Sequence, residues 1–215
     1  MRHAPSAAKR SASAVYVTLA AQLAAMTALV IFDQVRGRRL AAEIVTLGGD
    51  ARAPGAEAVV GAVTLFAVLM MLAVGTLAAS ASAYLTWLVR ARRANKGASP
   101  SGPVMAAWLL PGVNLIAPVM LVDQVWKGAR PPYDRRGRWL ALVATWWASW
   151  LTALALVMVR LPLRGSSGEL TGLSGLELGV TAVAALLCAC TVREVTRVQT
   201  APSRLHHLTP APMIS

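Results

Sequence analysis

Long uncharged stretches alternate along this chain with short basic segments. The uncharged stretches are Ser11–Phe32, Ala58–Val89, Gly97–Val122, Trp139–Val159 and Leu178–Val192. A helix needs about 20 apolar residues to cross the hydrocarbon core of a bilayer, and helices of water-soluble cores rarely run so long without a charge. The pattern therefore predicts an all-α membrane bundle with four transmembrane helices. The predicted spans cover about 12–33, 58–89, 139–160 and 174–193.

The third uncharged stretch differs from the others because prolines and glycines interrupt it. Pro111-Gly112 is a turn signal in the middle of an apolar run. Proline removes a backbone donor, and lipid offers no replacement partner. Residues 100–126 are therefore predicted as a central re-entrant or interfacial helix-turn-helix segment rather than a fifth span. The residues predicted at its apex are Pro111, Gly112, Asn114 and Pro118.

The loop charges favour the same arrangement. If residues 100–126 return to the side they came from, fifteen of the 21 Lys and Arg residues share that side; if they cross, only nine lie on the side of the N-terminus. The side richer in Lys and Arg is normally the cytoplasm. We therefore predict a membrane domain over 11–192 whose basic loops face the cytoplasm. The short tail over 1–10 and a mobile tail over 193–215 are both expected in the cytoplasm.

Composition excludes several classes of protein. Hydrophobic residues make up 56% of the 215 residues and charged residues only 14%, with a mean hydropathy of +0.57 and a net charge of +12. A disordered tail or an ordinary cytosolic enzyme is far richer in charge. The basic residues flank apolar ends and belong to no nucleic-acid-binding module, so we expect anionic lipid headgroups on the cytoplasmic side as partners and no nucleic acid.

A first candidate site lies at the end of the second predicted span. Trp87, Arg90, Arg92 and Asn95 are candidate contacts for an anionic lipid headgroup or phosphate, because residues three apart can share a helix face. The competing interpretation is that they only anchor the topology. Trp87, Trp126 and Trp139 all fall at boundaries predicted to be cytoplasmic, where indole rings favour the headgroup level.

Two further candidates belong to the predicted re-entrant segment. Asn114 offers an amide either to a bound ion or substrate or to the broken backbone of the turn. Asp123 is a candidate interfacial acid, and an acid near the membrane is by default a proton relay or cation ligand. Its spacing to Lys127 also fits an ordinary i,i+4 ion pair.

The segment from Trp87 to Trp126 resembles a known family. It contains Trp87, Arg90 and Asn95, then Trp108, Pro111, Asn114 and Pro118, and finally Asp123 and Trp126. In this it resembles an actinobacterial membrane family catalogued as domain of unknown function 4328, which looks like a four-span protein. The chain departs from the family at Ile116 and Ala117, where relatives often carry an aromatic and a basic residue. The resemblance implies an architecture and a compartment but no activity.

The sequence offers no pairing of a nucleophile with a base, no phosphate loop and no zinc-protease motif. We therefore expect no enzyme, cofactor or metal site, and a scaffold or interaction subunit that recognises lipids or partner helices. The alternative is a small transporter or channel-like protein that uses the re-entrant segment. Small residues recur every fourth position at Gly75, Ala79 and Ala83, which lets helices approach closely. Trp146 and Trp150 share a face and are expected to pack against this small-residue neighbour, and the repeat also fits a homo-oligomer or a partner helix.

Overall fold

In the computed structural model of the chain, residues 4–95, 116–129, 131, 133–160, 170–171 and 173–200 are described, and all their regular structure is helical. The helices are α1 Ala4–Phe32, α2 Arg38–Thr46, α3 Glu57–Ala94, α4 Ala117–Gly128, α5 Arg136–Arg160 and α6 Gly175–Thr200. A π-helical turn, Asp33–Gly37, joins α1 to α2 without a break, and a 3-10 turn, Tyr133–Arg135, precedes α5.

The prediction of an all-α chain with four helices able to cross a membrane is confirmed. Four helical stretches are long and apolar enough, namely Lys9–Thr46, Glu57–Ala94, Arg136–Val159 and Gly175–Thr200. The first two have 38 residues each. At 1.5 Å per residue such a helix measures about 57 Å, nearly twice the roughly 30 Å hydrocarbon core of a bilayer, so in a membrane α1–α2 and α3 would have to project beyond the lipid or tilt.

Five helix termini meet at one end of the bundle. The side chain of Asn95 at the end of α3 bonds to Val125 in α4, and Gln199 near the end of α6 bonds to Asn95. Arg135, just before α5, lies 3.8 Å from Glu194 in α6. The first turns of α1 complete this end through the buried Val15. We call it the basic end, and the opposite end, which holds α2 and the start of α6, the far end.

The names follow from the charges. Within the described ranges the basic end has eleven basic and three acidic residues: Lys9, Arg10, Arg90, Arg92, Arg93, Lys127, Arg135, Arg136, Arg138, Arg193 and Arg197 against Asp123, Asp134 and Glu194. The far end has five of each: Arg36, Arg38, Arg39, Arg52 and Arg160 against Asp33, Glu43, Asp50, Glu57 and Glu177. Among the described residues, the basic end therefore has a net charge of +8 and the far end a net charge of zero.

The hydrophobic core lies in the half of the bundle next to the basic end. Tyr84 packs against Trp87 and Trp146, with ring centroids 5.5 and 5.7 Å apart. Val192 of α6 is completely buried in the same cluster. Between residues 57 and 79, in contrast, α3 has no buried side chain. The far half of α3 therefore presents an apolar surface outward, as lipid or a neighbouring helix requires.

Gly75 does not take part in the packing expected of it. It is exposed, and a Cβ built at this position meets nothing within 4 Å. Trp146 instead packs on Tyr84 and Trp147, in the core at the basic end. Of the repeated small residues, Ala83 packs against the cluster that contains Trp146, whereas Gly75 and Ala79 are exposed.

Two sets of side-chain hydrogen bonds stabilise the far end. Asp33, turned inward by the π-helical turn and only 7% exposed, accepts a hydrogen bond from the Thr171 hydroxyl. Ser174 and Glu177 form a capping box at the start of α6: the Glu177 carboxylate accepts from the Ser174 backbone N–H at 2.8 Å, and the Ser174 hydroxyl accepts from the Leu176 N–H at 3.2 Å. Glu177 is thus a helix-capping residue with a fully buried side chain.

The last helix continues beyond the predicted start of a mobile tail at residue 193. It ends at Thr200, and Val195 is completely buried. Gln199 still contacts α3, with its amide 2.7 Å from the Ala91 carbonyl oxygen. The boundary at 193 is therefore wrong: a cluster of charges ended the predicted span, but packing against α3 and α5 keeps the chain helical. Residues 201–215 lie outside the described residues.

The helical spacing of Leu40, Ile44 and Leu47, followed by Gly48-Gly49, predicts a short interfacial helix between the first two spans, and α2 occupies this place. It stops at a glycine pair, with Gly48 and Gly49 at φ of 59° and 76°, a conformation that glycine adopts without steric cost. It does not form a separate interfacial helix, since the π-helical turn makes it a continuation of α1.

Candidate functional site

Asn95 joins three helices at the basic end. It is the residue at which α3 leaves the helical conformation, and its side-chain N–H donates to the Val125 carbonyl oxygen at 2.9 Å. Its side-chain oxygen accepts from Gln199 at 3.3 Å. The backbone of α4 approaches closely because Gly128 faces Asn95, where a Cβ would lie 2.5 Å from the amide nitrogen. Asn95 therefore acts as a connector between α3, α4 and α6.

Asp123 forms the second polar cluster of this end. Its carboxylate accepts two hydrogen bonds from the Arg136 guanidinium, one of them at 2.9 Å, and lies 2.9 Å from the Lys127 ammonium. A third donor is the Trp139 indole N–H at 3.0 Å. The i,i+4 ion pair that the spacing allowed is thus formed. The same carboxylate also forms a bidentate pair with Arg136 of α5, and a bidentate pair is the stronger type of charged contact.

The donors around Asp123 decide its protonation. The hydrogen bonds from Arg136, opposed in part by burial and helped by Lys127 and Trp139, lower the pKa of Asp123 to about 2. The carboxylate is 14% exposed and fully ionised at neutral pH. A proton relay needs a group that binds and releases protons near the working pH. The geometry therefore argues for Asp123 as a structural anion that links α4 to α5.

Aromatic rings pack beside this cluster. Trp126 and Trp139 stack with centroids 5.2 Å apart and planes 5° apart, and the Arg136 guanidinium lies 5.5 Å from the centre of the Trp126 ring. Both indoles are 2% exposed. They were predicted at headgroup level; they lie at the right end of the bundle but pack between helices, because α4 covers them.

The four candidate headgroup contacts do not form one surface. Trp87 is 1% exposed, and its indole N–H donates to Thr196 at 3.3 Å, so it is a packing residue rather than a headgroup contact. Arg90 is exposed and points elsewhere. Asn95 is half-buried in the connection to α4 and α6. The i,i+3 spacing would let Trp87 and Arg90 share a helix face, but the neighbouring helices cover Trp87 and leave Arg90 exposed.

Arg92 has a different environment from its neighbours. It is half-buried, and its Nη1 atom is buried without a hydrogen-bond partner among the described residues. Arg90 and Arg93, on either side, are exposed. Of the four candidates, Arg92 alone has a buried donor without a partner among the described residues.

The predicted apex is described only in part. Pro111, Gly112 and Asn114 lie outside the described residues, so the re-entrant turn remains a prediction. Pro118 is buried and occupies the first turn of α4, where its missing N–H needs no partner. The contact between Asn95 and Val125 places the end of α3 beside the last turns of α4.

Sequence reasoning missed the partners that give these residues their roles. Arg136, Thr196 and Gln199 lie 13, 109 and 104 residues along the chain from Asp123, Trp87 and Asn95. No local periodicity links residues so far apart. The one local signal was the three-residue spacing between Arg136 and Trp139, which puts two donors on one face of α5. Within the described ranges, no group of three His, Cys, Asp or Glu residues is arranged to hold a metal ion.

Comparison with known proteins gives one match. The family model described as Domain of unknown function (DUF4328) matches residues 46–200, from the end of α2 to the end of α6. No curated protein and no solved structure matches the chain. The matched range includes both polar clusters of the basic end.

Proposed function

Because the chain belongs to the DUF4328 family, which is described only as a domain of unknown function, we propose its function from the chemistry of the basic end. It is a non-enzymatic membrane scaffold or interaction subunit that recognises anionic lipid headgroups, or partner helices including a second copy. In this proposal it is a multi-pass protein of the inner membrane of an actinobacterial cell, with both termini and the basic end in the cytoplasm.

The observation that carries the proposal is the difference in charge between the two ends. Among the described residues, eleven basic and three acidic ones lie at one end, and five of each at the other. The cytoplasmic leaflet is negatively charged, and each Lys or Arg near its surface contributes about 1 kcal/mol of attraction. A net positive end therefore favours the cytoplasmic side and gathers anionic lipid there.

The contacts of Asn95 and Asp123, the polar side chains best suited to bind a substrate, support a non-enzymatic role. Asn95 bonds to α4 and α6, and Asp123 bonds to Arg136 of α5 and pairs with Lys127 of its own helix, so both residues use their polar atoms within the bundle. A catalytic or transport group must instead offer an atom to a substrate. The far half of α3, apolar and without buried side chains, supports contact with lipid or partner helices.

The proposal is tested by the lipids that accompany the protein. Membrane discs cut out with a polymer keep their native lipid, and mass spectrometry gives the ratio of anionic to zwitterionic phospholipid. We expect anionic lipid to be enriched over the bulk membrane. Changing Arg90, Arg93 and Arg138 to Gln should reduce the enrichment about two- to threefold, since each exposed cation contributes to the attraction.

The matched control removes the same charge from the far end. Arg38, Arg39 and Arg52 are exposed, and changing them to Gln should leave the enrichment unchanged. Equal losses in the two triple variants, or no enrichment in the wild type, would refute lipid recognition by the basic end.

A further inference from the structure

Many buried polar atoms at the basic end form hydrogen bonds between helices. Arg92 is a positively charged residue with a buried nitrogen that forms none among the described residues. Its Nη1 atom is buried and has no acceptor among the described residues, although the residue as a whole is half-buried and so reaches the surface. A buried donor without an acceptor costs roughly 1–3 kcal/mol, and more when the group is charged. An acceptor from outside the described chain would remove that cost.

The acids of this end are not available to Arg92. Asp123 binds Arg136 and Lys127, and Glu194 lies beside Arg135. Asp134 is exposed at the 3-10 turn before α5. The positive charge of Arg92 therefore has no carboxylate to neutralise it in the described part of the bundle.

The carbonyl end of α3 does not prevent an anion from binding nearby. A helix C-terminus carries partial negative charge on its free carbonyl groups. Here the Ala91 carbonyl accepts from Gln199 at 2.7 Å, and the Arg92 carbonyl accepts from the Asn95 N–H at 3.1 Å. With these two oxygens paired, the guanidinium of Arg92 and the exposed Arg90 and Arg93 dominate the local potential.

We infer that Arg92 binds a phosphate group at the last turn of α3. Guanidinium is planar and offers paired N–H donors that match phosphate oxygens. The site lies where the longest apolar helix meets the basic end, which is headgroup depth in the proposed orientation. The inference rests on the proposed function and makes it specific: the phosphate belongs to an anionic phospholipid, or is free phosphate bound at the same atoms.

The test compares two adjacent arginines that differ in burial. Arg92→Gln and Arg93→Gln remove the same charge from the same helix, but only Arg92 has a buried, unpartnered nitrogen. Native mass spectrometry of the full-length protein, titrated with phosphatidylglycerol and separately with inorganic phosphate, gives the affinity for each probe. We expect Arg92→Gln to weaken binding about tenfold or more and Arg93→Gln less than twofold, as for the loss of a charge-assisted hydrogen bond.

The two probes distinguish the sources of the phosphate. Arg92-dependent binding of phosphatidylglycerol identifies a lipid headgroup, and Arg92-dependent binding of inorganic phosphate alone identifies a soluble ligand. Equal effects of the two variants on both probes would overturn the inference. The proposed function would survive that result, because the enrichment measured with the triple variants does not depend on Arg92.

A folding defect is controlled with a third variant. Arg92→Lys keeps the charge but loses the paired donors. It should bind the effective probe more weakly than the wild type and more tightly than Arg92→Gln, with an unchanged melting temperature. If Arg92→Lys binds as well as the wild type, a specific phosphate contact is excluded.

Discussion

Asp123 shows how one side chain acquires its role from its neighbours. Taken alone, an acid between apolar residues is a candidate for proton transfer. In the folded chain it accepts from Arg136 and Trp139 of α5 and lies 2.9 Å from Lys127 of its own helix. These contacts stabilise the ionised form and hold the pKa of the carboxyl at about 2. Its contribution is to the stability of the bundle.

The low pKa of Asp123 predicts a pH dependence with a definite sign. Since the folded-state pKa of about 2 lies below the ordinary value of 3.8, the stabilisation is complete above about pH 5 and is lost as the pH falls from there towards 2. The shift corresponds to about 1–2 kcal/mol for this partly exposed group. The melting temperature in detergent, measured from pH 6 to pH 2.5, should fall less for Asp123→Asn than for the wild type.

The Asp123→Asn variant should also be less stable at pH 6, by about 1–3 kcal/mol, because Arg136 loses its anion. Asp134→Asn is the control, since Asp134 is exposed at the same end of the bundle. A pH profile of Asp123→Asn identical to that of the wild type would contradict the role assigned to the carboxylate.

At the scale of helices, the contact between α3 and α4 depends on a close approach. Asn95 ends α3 and bonds to the backbone of α4, and Gly128 in the last turn of α4 leaves room for its side chain. Because α4 has only 12 residues, it is too short to cross a bilayer by itself. This contact, with the Asp123–Arg136 pair, attaches α4 to the basic end.

A methyl group at Gly128 should break this contact. In Gly128→Ala the new Cβ would lie 2.5 Å from the Asn95 amide nitrogen, so we expect a loss of about 1–3 kcal/mol from steric strain and the lost hydrogen bond. Gly137→Ala, where a Cβ meets nothing within 4 Å, should be neutral or slightly stabilising. Chemical or thermal unfolding in detergent gives both values.

The double variant identifies the cause. If the clash with Asn95 is responsible, Gly128→Ala should cost almost nothing once Asn95 has been changed to Ala. Additive losses in Asn95→Ala/Gly128→Ala would show that Gly128 matters for another reason.

At the scale of the molecule, side-chain contacts bring the ends of several helices together at the basic end. Residues 90–95 and 123–139 lie at one end of the bundle, because Asn95 contacts Val125 and Asp123 contacts Arg136. A chain that crossed the membrane between α3 and α4 would separate them by the thickness of the bilayer. The same folded end also holds the last turns of α6.

Labelling of single cysteines tests this arrangement in cells. With Cys188 and Cys190 replaced by Ala, a membrane-impermeant maleimide should label Arg52→Cys in intact cells, and Arg93→Cys and Asp134→Cys only after permeabilisation. All three positions are exposed. Labelling of Arg93→Cys and Asp134→Cys from opposite sides would contradict the fold, and labelling of both from outside would contradict only the proposed orientation.

The sequence by itself determined the class of the protein. Uncharged stretches of this length must be helical in a bilayer, since lipid cannot satisfy an unpaired backbone, and their positions follow from local composition alone. The same locality explains one wrong expectation. A cluster of charges seemed to end the last helix at residue 193, although Val195, Thr196 and Gln199 continue it through contacts with distant residues.

Only the tertiary structure determined which side chains are buried or paired with other residues and which stay exposed. Trp87 and Arg90 share a spacing, but the packing of α6 buries the first, while the second stays exposed. Asp123 found its main partner 13 residues away, in another helix. Helix formation depends on neighbours along the chain, whereas burial and pairing depend on neighbours in space, and a single sequence specifies the second set only through the fold.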